Sequence, residues 1–386
     1  MQKLFFSRTL CRRCCYFIFG GNHKHVYPST LLLDAENRSL NSNESHPCTP
    51  KSLIQHWTAI LKSKFVPDYE HDVKAIVLHT LKGTASDHIL DEGINNRNVS
   101  LHKKYEQQIS VDLISEINKL CNKRANRMPL QYVIGEWDFR ELTLTMAPPV
   151  FIPRPETEVL VDQIKDYQLT KVNNDNMSFL EIGCGSGAIS LSLLQEFPNA
   201  SAVAIDSSND AVKLTLENCK RYHCADRLRV YQHHLGTIYP EFLLSLPKFD
   251  FIVSNPPYVF TDDMDKLQPE ISRYEDHSAL DGGIDGLNVI KRIIHLARFV
   301  LKPSGVIWFE TDSKHPQMIK NWLEKQPQMN VKYITSFTDF NESYFLFLSS
   351  GLDLCNCAIN QHLYMLLPTL KVINLTALAY HKHYVQ

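Results

Sequence analysis

The chain has 386 residues, 44% of them hydrophobic and 21% charged, and a formal net charge of −2. That length can bury a large core and suits about two to three domains, with the composition of an ordinary globular protein. The near-neutral balance excludes the overall basic excess of a protein that holds nucleic acid by neutralising phosphates, and nowhere is there the uninterrupted run of about eighteen apolar residues that a membrane span needs.

Residues 1–33 contain no Asp or Glu, yet carry Lys3, Arg8, Arg12, Arg13 and Lys24 among Phe5, Phe6, Tyr16, Phe17 and Phe19. Basic, acid-free and apolar is the composition of a mitochondrial presequence. A secretory signal fits less well, because Arg12-Arg13 interrupts the apolar stretch. A structureless basic tail is the plain alternative. Residues 34–51, rich in Asn, Ser and Pro, read as a linker. Residues 52–128 read as a small helical domain of four or five helices. Trp57, Ile60 and Leu61 share one face, as do Val73, Ile76, Val77 and Leu81, and Val111, Leu113, Ile114, Ile117 and Leu120 continue the pattern. The β-prone runs Gln131–Phe139 and Leu142–Thr145 predict a hairpin linker over 129–147.

Residues 148–350 alternate strand and helix. Pro155, with Glu156 and Glu158 close by, suits a helix N-terminus, with Val159, Leu160, Val161 and Ile164 as its apolar face. Strands are expected at Ser178–Ile182, Ser201–Asp206, Leu228–His233, Phe249–Ser254 and Val306–Glu310. Helices are expected at Ala188–Phe197, Asp210–Tyr222, Leu287–Leu301 and Gln317–Lys325. Val331–Phe337 and Tyr344–Leu348 follow as two strands with no helix between them, which predicts an antiparallel strand at the sheet edge. This alternation means a mostly parallel α/β sheet covered on both faces. No pattern ties the tail, 351–386, to that sheet. The ten cysteines show no paired C-x-x-C zinc spacing and are expected as reduced thiols.

Two motifs carry chemistry. Glu181-Ile-Gly183-Cys184-Gly185-Ser186-Gly187 follows a predicted strand and precedes a helix, so its glycines allow a tight turn and close backbone approach of a ligand. The spacing is G-x-G-x-G, not that of nicotinamide enzymes. Glu181 would suit a cofactor bearing an ammonium group. Asp206, ending the next strand, can accept hydrogen bonds from vicinal ribose hydroxyls. Asn255-Pro256-Pro257-Tyr258 stands at the same edge, after Phe249–Ser254. Proline has no N–H, so the strand's ladder stops, and backbone carbonyls, a side-chain amide and an aromatic ring are left together. The Asn255 side-chain oxygen and the Pro256 carbonyl can accept both N–H bonds of a planar NH2 group. That grip holds a poorly nucleophilic nitrogen against an electrophile, and Tyr258 can pack on its plane. No Ser-His-Asp or Cys-His arrangement is apparent.

These motifs, with Pro129-Leu-Gln-Tyr132-x-x-Gly135, Phe151-Ile-Pro-Arg-Pro-Glu-Thr-Glu158 and Ala279-Leu-Asp-Gly-Gly283-x-Asp285-Gly286-Leu287, resemble the HemK/PrmC family over about residues 52 to 348. Its members methylate the glutamine of peptide-chain release factors using S-adenosylmethionine. The resemblance implies a class I S-adenosylmethionine-dependent methyltransferase fold, Rossmann-like with a seven-stranded, mostly parallel sheet, over 148–350. It implies that Gly183, Cys184, Gly185, Ser186 and Gly187 contact the methionine part of the cofactor. Asp206 would hold the ribose. Asn255, Pro256, Pro257 and Tyr258 would hold the glutamine, with Asn255 also near the methyl group. The helical domain would dock the release factor. With the presequence, a mitochondrial matrix location, a mitochondrial release factor as substrate and a monomeric enzyme are expected, with no direct nucleic acid or membrane partner.

The chain departs from the family pattern in three places. An acid and an aromatic near the adenine are replaced by His233-His234-Leu235, which leaves His234 as the candidate there. Asn341-Glu-Ser-Tyr344 stands where the last strand usually carries a Gly and an Arg, and the tail has no counterpart. Asn-Pro-Pro-Tyr also occurs in nucleic-acid N-methyltransferases, so an exocyclic amino group of DNA or RNA is the alternative acceptor. A non-catalytic binding protein with a degraded edge is a third reading. The histidines are read as surface or satisfied core, Trp308 and Phe309 as core, Asp250 as a loop-orienting acid, and Arg154 as pairing with Glu156 or Glu158 or reaching the cofactor.

Overall fold

The computed structural model describes residues 49–82, 108–170, 176–236, 241–329, 331, 333–338, 344–349 and 372–374. The expected presequence, most of the linker and most of the tail lie outside them. Helix α1 (Pro50–Ser63) begins at a capping box in which Thr49 and Ser52 satisfy each other's backbone N–H groups, and Pro50 occupies the first helical position. Leu53, Trp57 and Leu61 form its buried stripe. In α2 (Tyr69–Lys82) the inward face is Val73, Ile76, Val77 and Leu81, as the spacing predicts. In α3 (Val111–Ala125) it is Ile117, Leu120 and Cys121, whereas Val111, next to the Ser110 cap, is 80% exposed. These side chains build one apolar cluster, completed by Leu130 and Val133.

Leu130–Ile134 is a helix, α4, where the β-prone run from Gln131 predicts the first strand of the hairpin. Differences in β propensity span only about 1 kcal/mol. Burying Leu130 and Val133 in the helical cluster and Tyr132 in the cluster on the sheet, at about 1.5–3 kcal/mol for a large apolar side chain, outweighs them. Gly135, at φ 82°, ends the helix, and the predicted hairpin follows as β1 (Glu136–Phe139) and β2 (Leu142–Thr145), with Glu136 opposite Thr145.

The central sheet is built from β3 (Ser178–Ile182), β4 (Ser201–Asp206), β5 (Leu228–Gln232), β6 (Phe249–Ser254), β9 (Leu301–Thr311), β10 (Tyr333–Thr338), β11 (Tyr344–Ser349) and β12 (Val372–Asn374). A separate pair, β7 (Val259–Phe260) and β8 (Asp281–Gly283), lies between them in sequence. The order is β12-β10-β11-β9-β6-β3-β4-β5, with β5, β4, β3, β6 and β9 parallel. Two expectations are corrected. Of the two predicted closing strands, the one that runs antiparallel to the rest, β11, is not outermost, because it inserts between β9 and β10 and pairs antiparallel with both. The sheet has an eighth strand beyond the seven expected, since the tail segment β12 pairs antiparallel with β10. Three residues are too short for any periodicity to reveal.

Helices α5 (Pro155–Leu169), α6 (Ala188–Glu196) and α7 (Asn209–Arg221) pack with the hairpin on one face of the sheet. Helices α10 (Asn288–Val300) and α11 (His315–Glu324) cover the other, with the short α8 (Glu241–Ser245). Trp308 and Phe309 are core on opposite faces. Asp250 orients the start of β3 by accepting from the Ser178 N–H at 2.8 Å and pairs with Lys302. The four described cysteines, Cys121, Cys184, Cys219 and Cys224, are free and buried. No described helix is long and apolar enough to cross a membrane.

The helical portion is tied to the sheet portion by buried charge, and residues 48–386 form one compact unit. Arg124, 1% exposed, donates from Nε to Asp72 at 2.6 Å, from Nη1 to Glu270 at 3.0 Å and from Nη2 to the Pro67 carbonyl at 3.2 Å. Arg127 grips the same Glu270 through both carboxylate oxygens at 2.7 Å. Glu270 belongs to the short helix α9 (Pro269–Ser272). Removing one partner from such a network strands the other charges in a low-dielectric interior. Arg124→Met is therefore expected to lose about 3–5 kcal/mol of unfolding free energy, measured by urea denaturation; a loss below about 1 kcal/mol would contradict this account.

Candidate active site

β3 and β6 are neighbours in parallel register, with Glu181 beside Val253. The Ser254 hydroxyl extends this pairing by donating to the Ile182 carbonyl at 2.6 Å. The same offset, carried one residue further, sets Gly183 beside Asn255. A Cβ on Gly183 would come within 3.8 Å of the Asn255 carbonyl. The two motifs singled out in the sequence therefore meet at one point on the carboxyl edge of the sheet, where ligands of open α/β sheets bind.

The glycine turn runs through three left-handed residues, Gly183 (φ 78°), Gly185 (φ 53°) and Gly187 (φ 84°). Its inner side is held by protein. The N–H groups of Gly183 and Cys184 both reach the Ile205 carbonyl, and Gly185 N–H donates to Asp206 Oδ2 at 2.9 Å. Helix α7 supports it from behind: Thr215 donates to the Gly185 carbonyl at 2.9 Å, and Asn218 donates to the Ser186 carbonyl at 3.0 Å. Its outer side is open. Gly183 is exposed, and a Cβ on Gly185 would meet nothing within 4 Å. That bare backbone is a cradle that a ligand can approach closely.

The predicted cofactor residues divide accordingly. Cys184 and Ser186 are buried, so they offer backbone to the cleft rather than side chains. Glu181 is 1% exposed, and its Oε2 accepts from the Ser190 N–H at 3.1 Å and from the Ser190 hydroxyl. Burial lifts its carboxyl to about 8, against the opposing Ser190 hydrogen bonds. Asp206 is partly buried at the end of β4, with its carboxylate also accepting from Ser208 N–H at 2.9 Å. His234 is exposed. Its neighbour His233 turns inward, edge-on to Phe242 with ring centroids 6.3 Å apart, and its shielded Nε2 has no partner among the described residues.

In the second motif, Asn255 donates from Nδ2 to the Thr157 hydroxyl at 3.2 Å. Thr157 donates to Glu310 Oε2 at 2.7 Å, and the Tyr258 hydroxyl donates to Glu310 Oε1 at 3.2 Å. Pro256 is buried. Behind the motif lies the Asp281–Gly286 segment, with Val259 N–H donating to the Leu280 carbonyl at 2.9 Å. The approach is tight: a Cβ on Gly282 would sit 2.8 Å from the Pro257 carbonyl, and one on Gly286 2.7 Å from the Tyr258 carbonyl. Arg154 pairs with Glu275 rather than with Glu156 or Glu158, and Glu158 instead accepts from the Arg140 N–H at 2.9 Å.

Sequence reasoning passed over Thr157, Thr215, Asn218 and Glu310, all at most 2% exposed. Thr157 lies inside the Phe151–Glu158 motif, whose sequence gives it no role. Glu310 carried a usable signal, being an acid at the carboxyl end of a predicted central strand.

A model of the PrmC N-terminal domain matches residues 52–135, and a model of a methyltransferase domain matches residues 173–361. The human protein named MTRF1L release factor glutamine methyltransferase is 38% identical over 294 residues, spanning 75% of this chain and 83% of that one. The release factor glutamine methyltransferase of Aquifex aeolicus is 32% identical over 266 residues, 69% of this chain and 87% of its own. That of Geobacter sulfurreducens is 33% identical over 222 residues, 58% of this chain and 74% of its own.

A Cβ on Gly282 would also sit 2.7 Å from the Gly286 carbonyl, and backbone cannot retreat as side chains can, so Gly282→Ala must displace its own Asp281–Gly286 turn, the Asn255–Tyr258 loop against it, or both. The expected result is about 1–3 kcal/mol of lost stability with a sharp loss of any activity of this site. Wild-type thermal stability and activity in Gly282→Ala would contradict the geometry.

Proposed function

The chain belongs to the release factor glutamine methyltransferase family, and from that premise we propose that it methylates the side-chain nitrogen of the glutamine in the Gly-Gly-Gln motif of a mitochondrial peptide chain release factor, with S-adenosylmethionine as donor. The observation that carries this reading is the contact between the glycine turn and Asn255, which brings a ligand cradle and an amide receptor within reach of one methyl group. The residues fit the donor. The exposed outer side of Gly183–Gly185 accommodates its methionine portion, and Asp206 stands where a ribose diol can bind. His234, exposed just past β5, is the residue left for a contact with the base. When bound, S-adenosylmethionine supplies an electrophilic methyl group on a sulfonium.

This chain's own residues supply positioning. With Nδ2 of Asn255 committed to Thr157, its Oδ1 is the end left to accept from a substrate carboxamide. The Pro256 carbonyl accepts the second N–H bond. Two acceptors on one NH2 group favour a localised lone pair, which an amide nitrogen needs before it can attack. Tyr258, tied to Glu310, forms a fixed wall. The exocyclic amino group of a base could fit the same receptor, but the match to the PrmC N-terminal domain favours a protein substrate. The acid-free, basic composition of residues 1–33 supports import into the mitochondrial matrix.

Incubation with S-adenosylmethionine and a peptide bearing Gly-Gly-Gln is expected to add one methyl to the glutamine, read by mass spectrometry. Transfer to nucleic acid but not to the peptide would reject the assignment. Asn255→Ala is expected to abolish transfer while calorimetry shows donor affinity within severalfold of wild type; retained turnover would undo the role given to Asn255.

A further inference from the structure

The hydrogen bonds from Asn255 to Thr157 and from Tyr258 to Glu310 belong to one chain, and its buried end, Glu310, has no role in the transfer described so far. Glu310, next to last in β9, is 2% exposed, with Oε2 accepting from Thr157 and Oε1 accepting from Tyr258. Thr157, on the first turn of α5 and also 2% exposed, accepts in turn from Asn255 Nδ2. The direction of these bonds matters. An ionised carboxylate can only accept, so the single hydroxyl proton of Thr157 points at Glu310 and its lone pairs are left to accept. An amide has one donor end and one acceptor end. An acceptor at Thr157 therefore selects Nδ2 as the inward end of Asn255.

We propose that Glu310 is a positioning residue for the amide receptor: its carboxylate orders Thr157 and Tyr258 so that Asn255 presents Oδ1, and not its NH2 group, to the incoming carboxamide. This rests on the methyl-transfer reading above. A protonated Glu310 can itself donate to Thr157. The threonine proton is then released, Asn255 is equally satisfied with Oδ1 inward, and its NH2 group meets the substrate NH2 group as donor against donor.

The surroundings make that switch accessible near neutral pH. Burial lifts the Glu310 carboxyl to about 7, and the charge of Glu156 on α5 pushes the same way. Hydrogen bonds from Thr157, Tyr258 and Asn255 oppose the rise. The Tyr258 phenol, pushed well above its ordinary range by burial and by Glu310, stays protonated and keeps donating. The strand neighbour on β11 opposite Glu310 is the uncharged Phe345. Since the working form is the ionised one, turnover should rise with pH through about 7 and level off above it.

The test compares wild type, Glu310→Gln and Thr157→Val on the Gly-Gly-Gln peptide, with kcat measured between about pH 6 and 9 and S-adenosylmethionine affinity measured by calorimetry. The expected result is a kcat at least about tenfold lower in both variants, the acidic limb gone in Glu310→Gln, donor affinity within about twofold of wild type, and partial recovery in Thr157→Ser. Should Glu310→Gln fail to fold, the Thr157 pair decides. Variants that keep both the wild-type kcat and the acidic limb overturn the proposal. So does a fall in donor affinity as large as the fall in kcat, which would mark the network as scaffolding. An active wild type with equally active variants rejects this inference alone; a wild type that transfers no methyl rejects the underlying reading and this inference with it.

Discussion

The arrangement depends on the parallel register of two neighbouring strands. β3 and β6 are paired at a fixed offset, and each ends in a break that the other requires. One leaves the sheet through glycines, which bare its backbone. The other stops at prolines, which can no longer donate to a ladder. A slip of one residue in this pairing would turn every side chain of the strand to the opposite face and separate Gly183 from Asn255. That slip is resisted by apolar side chains on both surfaces, since Phe179 stacks on Phe251 on one face while Leu180 and Ile252 share the core on the other.

Much of this was legible in the residues. The boundaries of β3, β4 and β6 follow from short apolar runs ending in Gly, Asp or Asn, because a buried parallel strand has to be apolar throughout. Pro155 and the acids after it announced α5 through effects that act within one turn. The illegible parts depend on distant partners. Nothing near Arg124 in sequence shows that Asp72 and Glu270 await it, and nothing near Glu310 shows Thr157. The helical turn Leu130–Ile134 was misread for the same reason: its β-prone residues are helical because of what they are buried against. The place of β11 inside the sheet, rather than at its edge, was likewise set by pairing partners and not by its own composition.

The segment from Glu270 to Glu275 is anchored at both ends by arginine. Arg124 and Arg127 hold the first acid, Arg154 the second, and Glu275 also takes the Ile152 N–H. Tyr274 adds a hydrogen bond to the Asn126 carbonyl. This short stretch thus joins the helical portion to the chain that enters α5, and it leads directly into the glycines lying against Pro257 and Tyr258. A buried ion network adds little net stability compared with an apolar patch of equal volume, but it tolerates few alternative geometries.

Those glycines give the receptor loop an unusual kind of backing. Where the Asp281–Gly286 segment meets Pro257 and Tyr258, main chain faces main chain, with no room even for a methyl group. A side-chain contact can be retuned one residue at a time, whereas where Gly282 meets the Pro257 carbonyl there is no side chain to exchange. Moving the Pro257–Tyr258 backbone away from this backing would take a change in the length of the loop, so the place of the loop is set by chain length more than by residue choice.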